Sequence, residues 1–158
     1  MNASLRALAD LRGAAALLRH HKPAFQNATD LAGRVLLASL FLVSGLGKLE
    51  AYNATAAFMT SAGVPGALLP VVIATEILGA LAIAVGWKTR VVAFLLAGYS
   101  VLTALTFHHN FDDQAQMINF LKNLSIAGGF LLLVTRGAGF LSMDRRLARS
   151  VAHPEMRR

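Results

Sequence analysis

Four long apolar runs dominate this chain, and they constrain its fold more than any other feature of the sequence. The runs cover Leu31–Leu49, Leu68–Gly86, Val91–Phe107 and Met117–Thr135. A helix that crosses a bilayer needs about 20 mostly apolar residues, because each residue advances about 1.5 Å through a hydrocarbon core about 30 Å thick. Each run has the length for one crossing, and the connections between the runs are short. The sequence therefore predicts an all-α membrane protein, folded as an antiparallel bundle of four transmembrane helices.

The composition agrees with a membrane protein and excludes several other classes. Hydrophobic residues make up 56% of the chain and charged residues only 15%, whereas an ordinary soluble domain has about 25% charged residues. Intrinsic disorder is excluded because disordered chains have low hydrophobicity. The chain contains no cysteine, which excludes disulfides, thiolate metal ligands and thiol–disulfide exchange within this subunit.

The basic residues alternate between connections, and this alternation predicts the orientation of the bundle. Lysine and arginine are frequent in residues 1–29, recur at Lys88 and Arg90, and are frequent again after the fourth run. The connections Glu50–Ala67 and His108–Gln116 contain none. Short loops rich in lysine and arginine stay in the cytoplasm. We therefore expect both termini to be cytoplasmic, and we interpret the net charge of +7 as a record of topology and not of nucleic-acid binding.

The chain divides into three predicted segments: a basic amphipathic segment at 1–29, the bundle at 30–148 and a basic tail at 149–158. In the first segment apolar residues recur every three or four positions, at Leu5, Leu8, Leu11, Ala15 and Leu18. This spacing favours a helix that lies on an anionic membrane surface. A disordered basic arm and a presequence of the mitochondrial type remain as alternatives.

Ionisable residues inside the apolar runs are the candidates for function, since a charge at the bilayer centre costs about 2.5–3.5 kcal/mol on insertion scales. Glu76 lies about 12 Å along its run, too deep for a carboxylate to reach the headgroups. We expect a polar cluster in the outer half of the bundle, formed by Lys48, Glu76, His108, Lys122 and Asn123. Three acidic residues are expected at the rim of this cluster: Glu50, Asp112 and Asp113.

Two interpretations of the cluster remain open. It is either a site for a ligand or a proton, or an internal Glu76–Lys122 salt bridge that fixes the helix register and does no chemistry. Arg34, in the first turn of its run, is expected to reach the cytoplasmic headgroups as an interfacial anchor. No metal site is predicted, because the neighbouring His108 and His109 point about 100° apart on a helix.

Several short motifs together resemble the DoxX-like family of integral membrane proteins, over about Ala32–Leu147. In the first half of the chain the resemblance rests on Arg34, Phe41-Leu42-Val43-Ser44-Gly45, Lys48, Gly63-Val64-Pro65, Glu76, Leu78-Gly79 and Thr89-Arg90. In the second half it rests on Phe107-His108, Asn119-Phe120-Leu121-Lys122-Asn123, Gly128-Gly129, Arg136-Gly137-Ala138-Gly139, Ser142 and Asp144. The chain departs from the family at Asn110-Phe111-Asp112-Asp113, where relatives often have an aromatic pair after the histidine.

The resemblance implies a multi-pass protein of the bacterial cytoplasmic (inner) membrane, and some relatives resemble subunits of quinone-linked oxidoreductases or partners in membrane redox-stress complexes. It implies a non-catalytic or quinone-associated accessory subunit of a membrane redox system. A quinone headgroup would enter the polar cluster, Lys122 or His108 would donate a hydrogen bond to a quinone oxygen, and Glu76 would move the proton. Because the chain has no flavin or nicotinamide motif, electrons would come from a partner redox subunit.

The alternative function is a small-solute or ion carrier or a structural membrane subunit, in which a charge pair acts as a gate or fixes the register. Besides the lipid bilayer, the expected partners are redox-protein subunits and further copies of the chain.

Overall fold

The computed structural model of this chain describes the backbone of residues 3–152 and the side chains of residues 24–150. In this part of the chain the helices are α1 (Ala3–Glu50), α2 (Tyr52–Ser61), α3 (Leu69–Val85), α4 (Thr89–Phe107), α5 (Gln114–Arg136) and α6 (Met143–Ala152), with a 3-10 turn at Gly66–Leu68. Four segments are long and apolar enough to span a membrane: Ala24–Glu50, Gly66–Val85, Thr89–Phe107 and Gln114–Arg136. The four predicted crossings are therefore confirmed.

Contacts between the helices show that successive spans run in opposite directions. Arg34 and Lys48 of α1 bond to Ala84 and Glu76 of α3, so residue numbers rise along one helix as they fall along the other. The same antiparallel pattern continues through α4 and α5. The closest packing is within two helix pairs, α1 with α3 and α4 with α5. We call the end of the bundle with Arg34 and the α3–α4 turn the basic end, and the opposite end the α2 end.

Small side chains allow the spans to pack closely. One face of α4 is entirely buried at positions three and four residues apart: Ala93, Ala97, Ser100 and Ala104. Where the small residues leave room, aromatic rings fill the centre, and the rings of Phe41 and Phe130 meet edge to face with centroids 5.4 Å apart. Lipid chains are as apolar as leucine, so the removal of apolar surface from water does not hold the spans together. Their close packing does.

The connection between the first two spans contains α2, a helix that the search for long apolar runs does not predict. It has 10 residues, too few to cross a bilayer. Its buried Met59 packs with Leu69 and Ile73 at the start of α3. The helix α2 therefore folds back against the end of the bundle and does not project from it.

At the basic end, an acidic side chain of α6 caps the start of α4. The carboxylate of Asp144 accepts hydrogen bonds from the backbone N–H groups of Lys88 at 2.7 Å and Thr89 at 3.0 Å. The preceding turn requires glycine at Gly86, which ends α3 with a φ of 72°. A Cβ at Gly86 would lie 2.5 Å from Nη1 of Arg34. These contacts fix the α3–α4 turn against α6.

The structure places Arg34 differently from the expectation that its side chain reaches the headgroups. The residue is fully buried, and its guanidinium donates hydrogen bonds to the carbonyls of Ile83 at 3.2 Å and Ala84 at 2.9 Å and to the carbonyl of Leu141. The last carbonyls of a helix have no partner within the helix and carry the negative end of its dipole. These protein acceptors replace the lipid headgroups, so Arg34 joins α1, α3 and the segment before α6.

Helices extend into both predicted terminal segments. The backbone is helical from Ala3 and continuous with the first span. The apolar stripe predicted for 1–29 concerns side chains that lie almost entirely outside the described residues. At the other end, α6 begins at Met143, within the segment predicted as the bundle, and residues 153–158 of the predicted tail lie outside the described residues.

Candidate functional site

A cavity of about 680 Å³ lies at the α2 end, between the helix pair α1–α3 and the helix pair α4–α5. We call it the polar cavity. All the residues of the predicted cluster line it: Lys48, Glu76, His108, Lys122 and Asn123. Three other residues of its lining, Leu40, Val71 and Leu102, are 49%, 62% and 63% exposed. The cavity therefore reaches the surface of the bundle that faces lipid.

A buried carboxylate holds the deepest polar contacts of this cavity. Glu76 is 4% exposed, and both of its oxygens lie 2.9 Å from Nζ of Lys48. The hydroxyl of Tyr99 donates to Oε1 of Glu76 at 2.7 Å. Lys48 also donates to Oγ of Ser44 at 2.6 Å. Lys48, Glu76 and Tyr99, which we call the triad, connect α1, α3 and α4.

The close approach of α1 to α3 explains why Lys48 meets Glu76. One helical turn before Lys48, a Cβ at Gly45 would lie only 2.7 Å from Cγ1 of Ile77 and 3.3 Å from Cβ of Glu76. Glycine at this position lets the two backbones approach to a distance that any side chain would prevent. The lysine therefore crosses directly to the carboxylate on the facing helix.

This geometry corrects one of the two interpretations of the cluster, the internal salt bridge between Glu76 and Lys122. Among residues 24–150, the salt bridge of Glu76 is with Lys48. Lys122 belongs to α5, which packs mainly on α4, whereas Lys48 belongs to α1, which packs along α3. Lys122 lines the polar cavity with an exposed side chain and makes no salt bridge within the described part of the chain. Its ammonium is available to a ligand.

Two further members of the predicted cluster line the cavity from α5 and from the end of α4. Nδ1 of His108 lies 2.9 Å from Oε1 of Gln116, which joins the end of α4 to the start of α5. The amide of Asn123 donates to the carbonyl of Asn119 at 3.0 Å. Both side chains are half-buried. These hydrogen bonds hold the two polar side chains in defined positions on α5 and at the end of α4.

The three acidic residues expected at the rim have other surroundings. Glu50, Asp112 and Asp113 are exposed, and the described lining of the polar cavity does not include them. The carboxylate of Asp113 accepts from the N–H of Ala115 at 2.8 Å and caps the start of α5. Asp113 therefore acts as a helix cap, as its position just before a helix indicates.

Tyr99 lines the polar cavity beside Glu76 but is not among the residues of the predicted cluster. A signal for its position exists in the spacing of polar residues on α4. Tyr99, Thr103 and Thr106 follow one another at four and three residues, and all three line the polar cavity. Such spacing places side chains on one face of a helix. The polar stripe on an otherwise apolar span indicates a face turned away from lipid.

The walls of the cavity are otherwise apolar and partly aromatic. The rings of Phe58 on α2 and Phe107 on α4 are stacked with centroids 5.6 Å apart, and both residues line the cavity. Within the described residues, no three histidine, aspartate or glutamate side chains are grouped as a metal site would require. The arrangement fits an amphipathic molecule, with its polar atoms at the triad and Lys122 and its apolar part toward lipid.

The fold and its surface define a class of protein. Each of four antiparallel helices can cross a bilayer, leucine and valine side chains are exposed along them, and the charges of the second span are paired inside the bundle. The molecule is an integral membrane protein that crosses the membrane several times.

Comparison with known proteins identifies the family. The DoxX family model matches residues 29–109. The chain is 46% identical over 117 residues to inner membrane protein YqjF of Escherichia coli (strain K12), covering 74% of this chain and 90% of that protein. It is 38% identical over 123 residues to inner membrane protein YphA of the same strain, covering 73% and 88%. This chain belongs to the DoxX family and is a multi-pass protein of the bacterial cytoplasmic membrane.

A more distant likeness extends to a eukaryotic protein. The chain is 35% identical over 75 residues to ER-derived vesicles protein ERV29 of Saccharomyces cerevisiae, covering 44% of this chain and 24% of that protein. No solved structure matches the chain.

Proposed function

We propose that this protein is a non-catalytic accessory subunit of a membrane redox system and that it binds the headgroup of a lipid-soluble quinone in the polar cavity. The observation that carries the proposal is the polar cavity itself. It joins a paired carboxylate, a tyrosine hydroxyl and a lysine that makes no salt bridge in the described part of the chain to apolar walls that reach the lipid-facing surface. Its volume of about 680 Å³ lies in the range of roughly 300–1,000 Å³ that is usual for small-ligand sites.

The chemistry of a quinone headgroup matches this lining. A quinone has two carbonyl oxygens on opposite sides of a flat apolar ring, and its long tail is soluble only in lipid. Lys122 carries donors for one carbonyl, and the triad holds donors and a proton acceptor for the other. Phe58 and Phe107 supply an aromatic wall for the ring. The tail leaves through the side of the cavity at Leu40, Val71 and Leu102.

The role proposed for the chain is binding and proton handling, not electron supply. Reduction of a quinone to a quinol takes two electrons and two protons. The chain has no flavin or nicotinamide motif, so a partner redox subunit supplies the electrons. One of the two protons comes from the ammonium of Lys122. The other comes from the hydroxyl of Tyr99, which recovers a proton through Glu76, the carboxylate to which it donates, and water replaces both protons.

The test is a binding titration of the purified full-length protein in lipid nanodiscs with a short-chain ubiquinone and a short-chain menaquinone. We expect saturable binding of at least one of them. Tyr99→Phe and Glu76→Gln should each weaken it about tenfold, since each removes a hydrogen bond to or from a charged group. Matched controls make the same chemical changes outside the cavity lining, at Tyr52→Phe and Glu50→Gln, and should leave the affinity unchanged.

Two outcomes contradict the proposal. One is titration without saturation for either quinone, combined with the absence of quinone from protein purified from its native membrane. The other is saturable binding that all four variants retain at the affinity of the unmodified protein, because the ligand would then occupy a different site. Either outcome favours the alternative function, in which the Lys48–Glu76 pair belongs to a carrier or a structural membrane subunit.

A further inference from the structure

The basic end carries a second cavity, separate from the polar cavity and formed where α6 leaves the bundle. Its volume is about 370 Å³. Two arginines line it, Arg136 at the end of α5 and Arg145 in α6, together with the ring of Phe140. Neither arginine makes a salt bridge within the described residues. We call this the α6 cavity.

One carboxylate also lines the α6 cavity, but it is already engaged. Both oxygens of Asp144 accept backbone N–H groups at the start of α4, at 2.7 and 3.0 Å. The remaining polar lining is the hydroxyl of Ser142, which donates to the carbonyl of Gly139 at 2.8 Å. Among the described lining residues, the hydrogen-bonding capacity that remains is the guanidinium donors of Arg136 and Arg145, which favour an anionic ligand.

The start of α6 is fixed to the bundle, so this cavity belongs to the fold and not to a loose tail. The N–H of Asp144 donates to the carbonyl of Gly86 at 2.9 Å, in addition to the bonds that its carboxylate accepts. Arg34 donates to the carbonyl of Leu141. At Gly139, where φ is 76°, a Cβ would lie 2.7 Å from Oδ2 of Asp30, so the chain turns tightly against α1.

Helix α6 and the segment just before it carry apolar side chains that stay largely exposed in the described structure. Phe140, Leu141, Met143 and Leu147 are 46%, 51%, 42% and 52% exposed. Met143 and Leu147 lie one turn apart on α6, on the same face. The guanidinium of Arg149 lies 4.2 Å from the centroid of the Phe140 ring. Exposed apolar residues beside arginines, at the end of a transmembrane helix, are typical of a helix that lies in the headgroup region.

We infer that α6 lies in the plane of the membrane surface and that the α6 cavity binds the phosphate of an anionic phospholipid. The occupant follows from charge and position. Two arginines that make no salt bridge within the described residues line the cavity. The adjacent face is apolar, and the cavity and this face lie where a transmembrane helix ends. A phospholipid satisfies both features at once, with its phosphate between Arg136 and Arg145 and its acyl chains against Met143 and Leu147.

The test uses the full-length protein in detergent and native mass spectrometry, with phosphatidylglycerol and phosphatidylcholine as the added lipids. We expect phosphatidylglycerol to be retained preferentially. Each of Arg136→Gln and Arg145→Gln should weaken its retention about fivefold, because each removes a charge-assisted hydrogen bond to the phosphate. The matched control is Arg146→Gln, on the same helix but outside the lining of the α6 cavity, and it should change retention less than twofold.

Inorganic phosphate separates a lipid site from a site for a soluble anion. If millimolar phosphate displaces phosphatidylglycerol fully, or if the Arg146 variant loses as much lipid as the cavity variants, the inference is wrong.

A second measurement tests the position of α6 independently. Because the chain has no cysteine, single spin labels can be placed by Leu147→Cys and Arg146→Cys in vesicles that contain phosphatidylglycerol.

We expect the label at position 147 to collide mainly with oxygen, which concentrates in lipid, and the label at position 146 to collide mainly with a water-soluble relaxing agent. Equal exposure of both labels to water would overturn the inferred orientation of α6. Neither measurement involves the polar cavity, so the result is independent of the proposed quinone binding.

Discussion

Replacing Lys48 by methionine removes the cation from a carboxylate that is 4% exposed. Lys48 contacts both oxygens of Glu76 at 2.9 Å, and removal of one partner from a buried pair costs about 3–5 kcal/mol. The hydroxyl of Tyr99 continues to donate to Glu76, and a hydrogen bond to a charged group offsets about 1.5–3 kcal/mol. We therefore expect Lys48→Met to lower the free energy of unfolding by about 2 kcal/mol, the difference between the middles of these two ranges.

The assay is reversible unfolding in mixed micelles of a mild detergent and sodium dodecyl sulfate, followed by the fluorescence of Trp87, the single tryptophan of the chain. Trp87 lies in the α3–α4 turn at the basic end, away from the substitution. Lys122→Met is the matched control, because that lysine lines the same cavity without a salt bridge in the described residues. It should change the free energy of unfolding by less than about 0.5 kcal/mol.

A double variant isolates the contribution of the pair. Lys48→Met combined with Glu76→Gln leaves no buried unpaired charge, so it should be more stable than Lys48→Met alone, with a coupling energy of about 1–2 kcal/mol. Equal effects of Lys48→Met and Lys122→Met would show that the Lys48–Glu76 pair does not stabilise the bundle.

Three further substitutions test other contacts with the same unfolding assay. Gly45→Val should lower the free energy of unfolding by about 1–3 kcal/mol through overpacking against Ile77. Gly47→Ala, whose Cβ would meet no atom within 4 Å, should be neutral. Equal effects of the two substitutions would contradict the close approach of α1 and α3. Asp144→Ala should cost about 1–2 kcal/mol because α4 loses its cap, and no change would contradict this role. Arg34→Gln should cost at least about 3 kcal/mol, because buried carbonyls lose charged donors; a neutral result would contradict the burial of this arginine.

The four spans were predictable because hydrophobic length is a local property of the sequence. Runs such as Val91–Phe107 are read directly from composition, and the structure has helix α4 at Thr89–Phe107. Helix α2 was not predictable in the same way, because its 10 residues mix polar and apolar side chains and its helical state depends on packing against α3. Depth in the membrane also predicted that Glu76 must face the bundle, since a carboxylate at that depth cannot reach water.

Partner choice was the part of the site that could not be predicted. Glu76 had two candidate lysines at similar depth, Lys48 and Lys122, and depth does not say which helices pack together. The choice depends on Gly45, whose close contact brings α1 to α3, and on the pairing of α5 with α4. In the same way, the burial of Arg34 depends on carbonyls from distant parts of the chain, which spacing along one helix does not reveal.

Covalent labelling with a photoreactive short-chain quinone in nanodiscs reports where a quinone headgroup binds, and the proposed site is the polar cavity. After illumination, proteolysis and mass spectrometry locate the modified residues. We predict labels at the cavity wall, on or beside Met59, Phe107 and His108, which an excess of unlabelled quinone suppresses and Tyr99→Phe reduces. Quinone binding in the polar cavity would be contradicted by labels that are spread over lipid-facing residues such as Leu78 and Phe94 and are insensitive to unlabelled quinone.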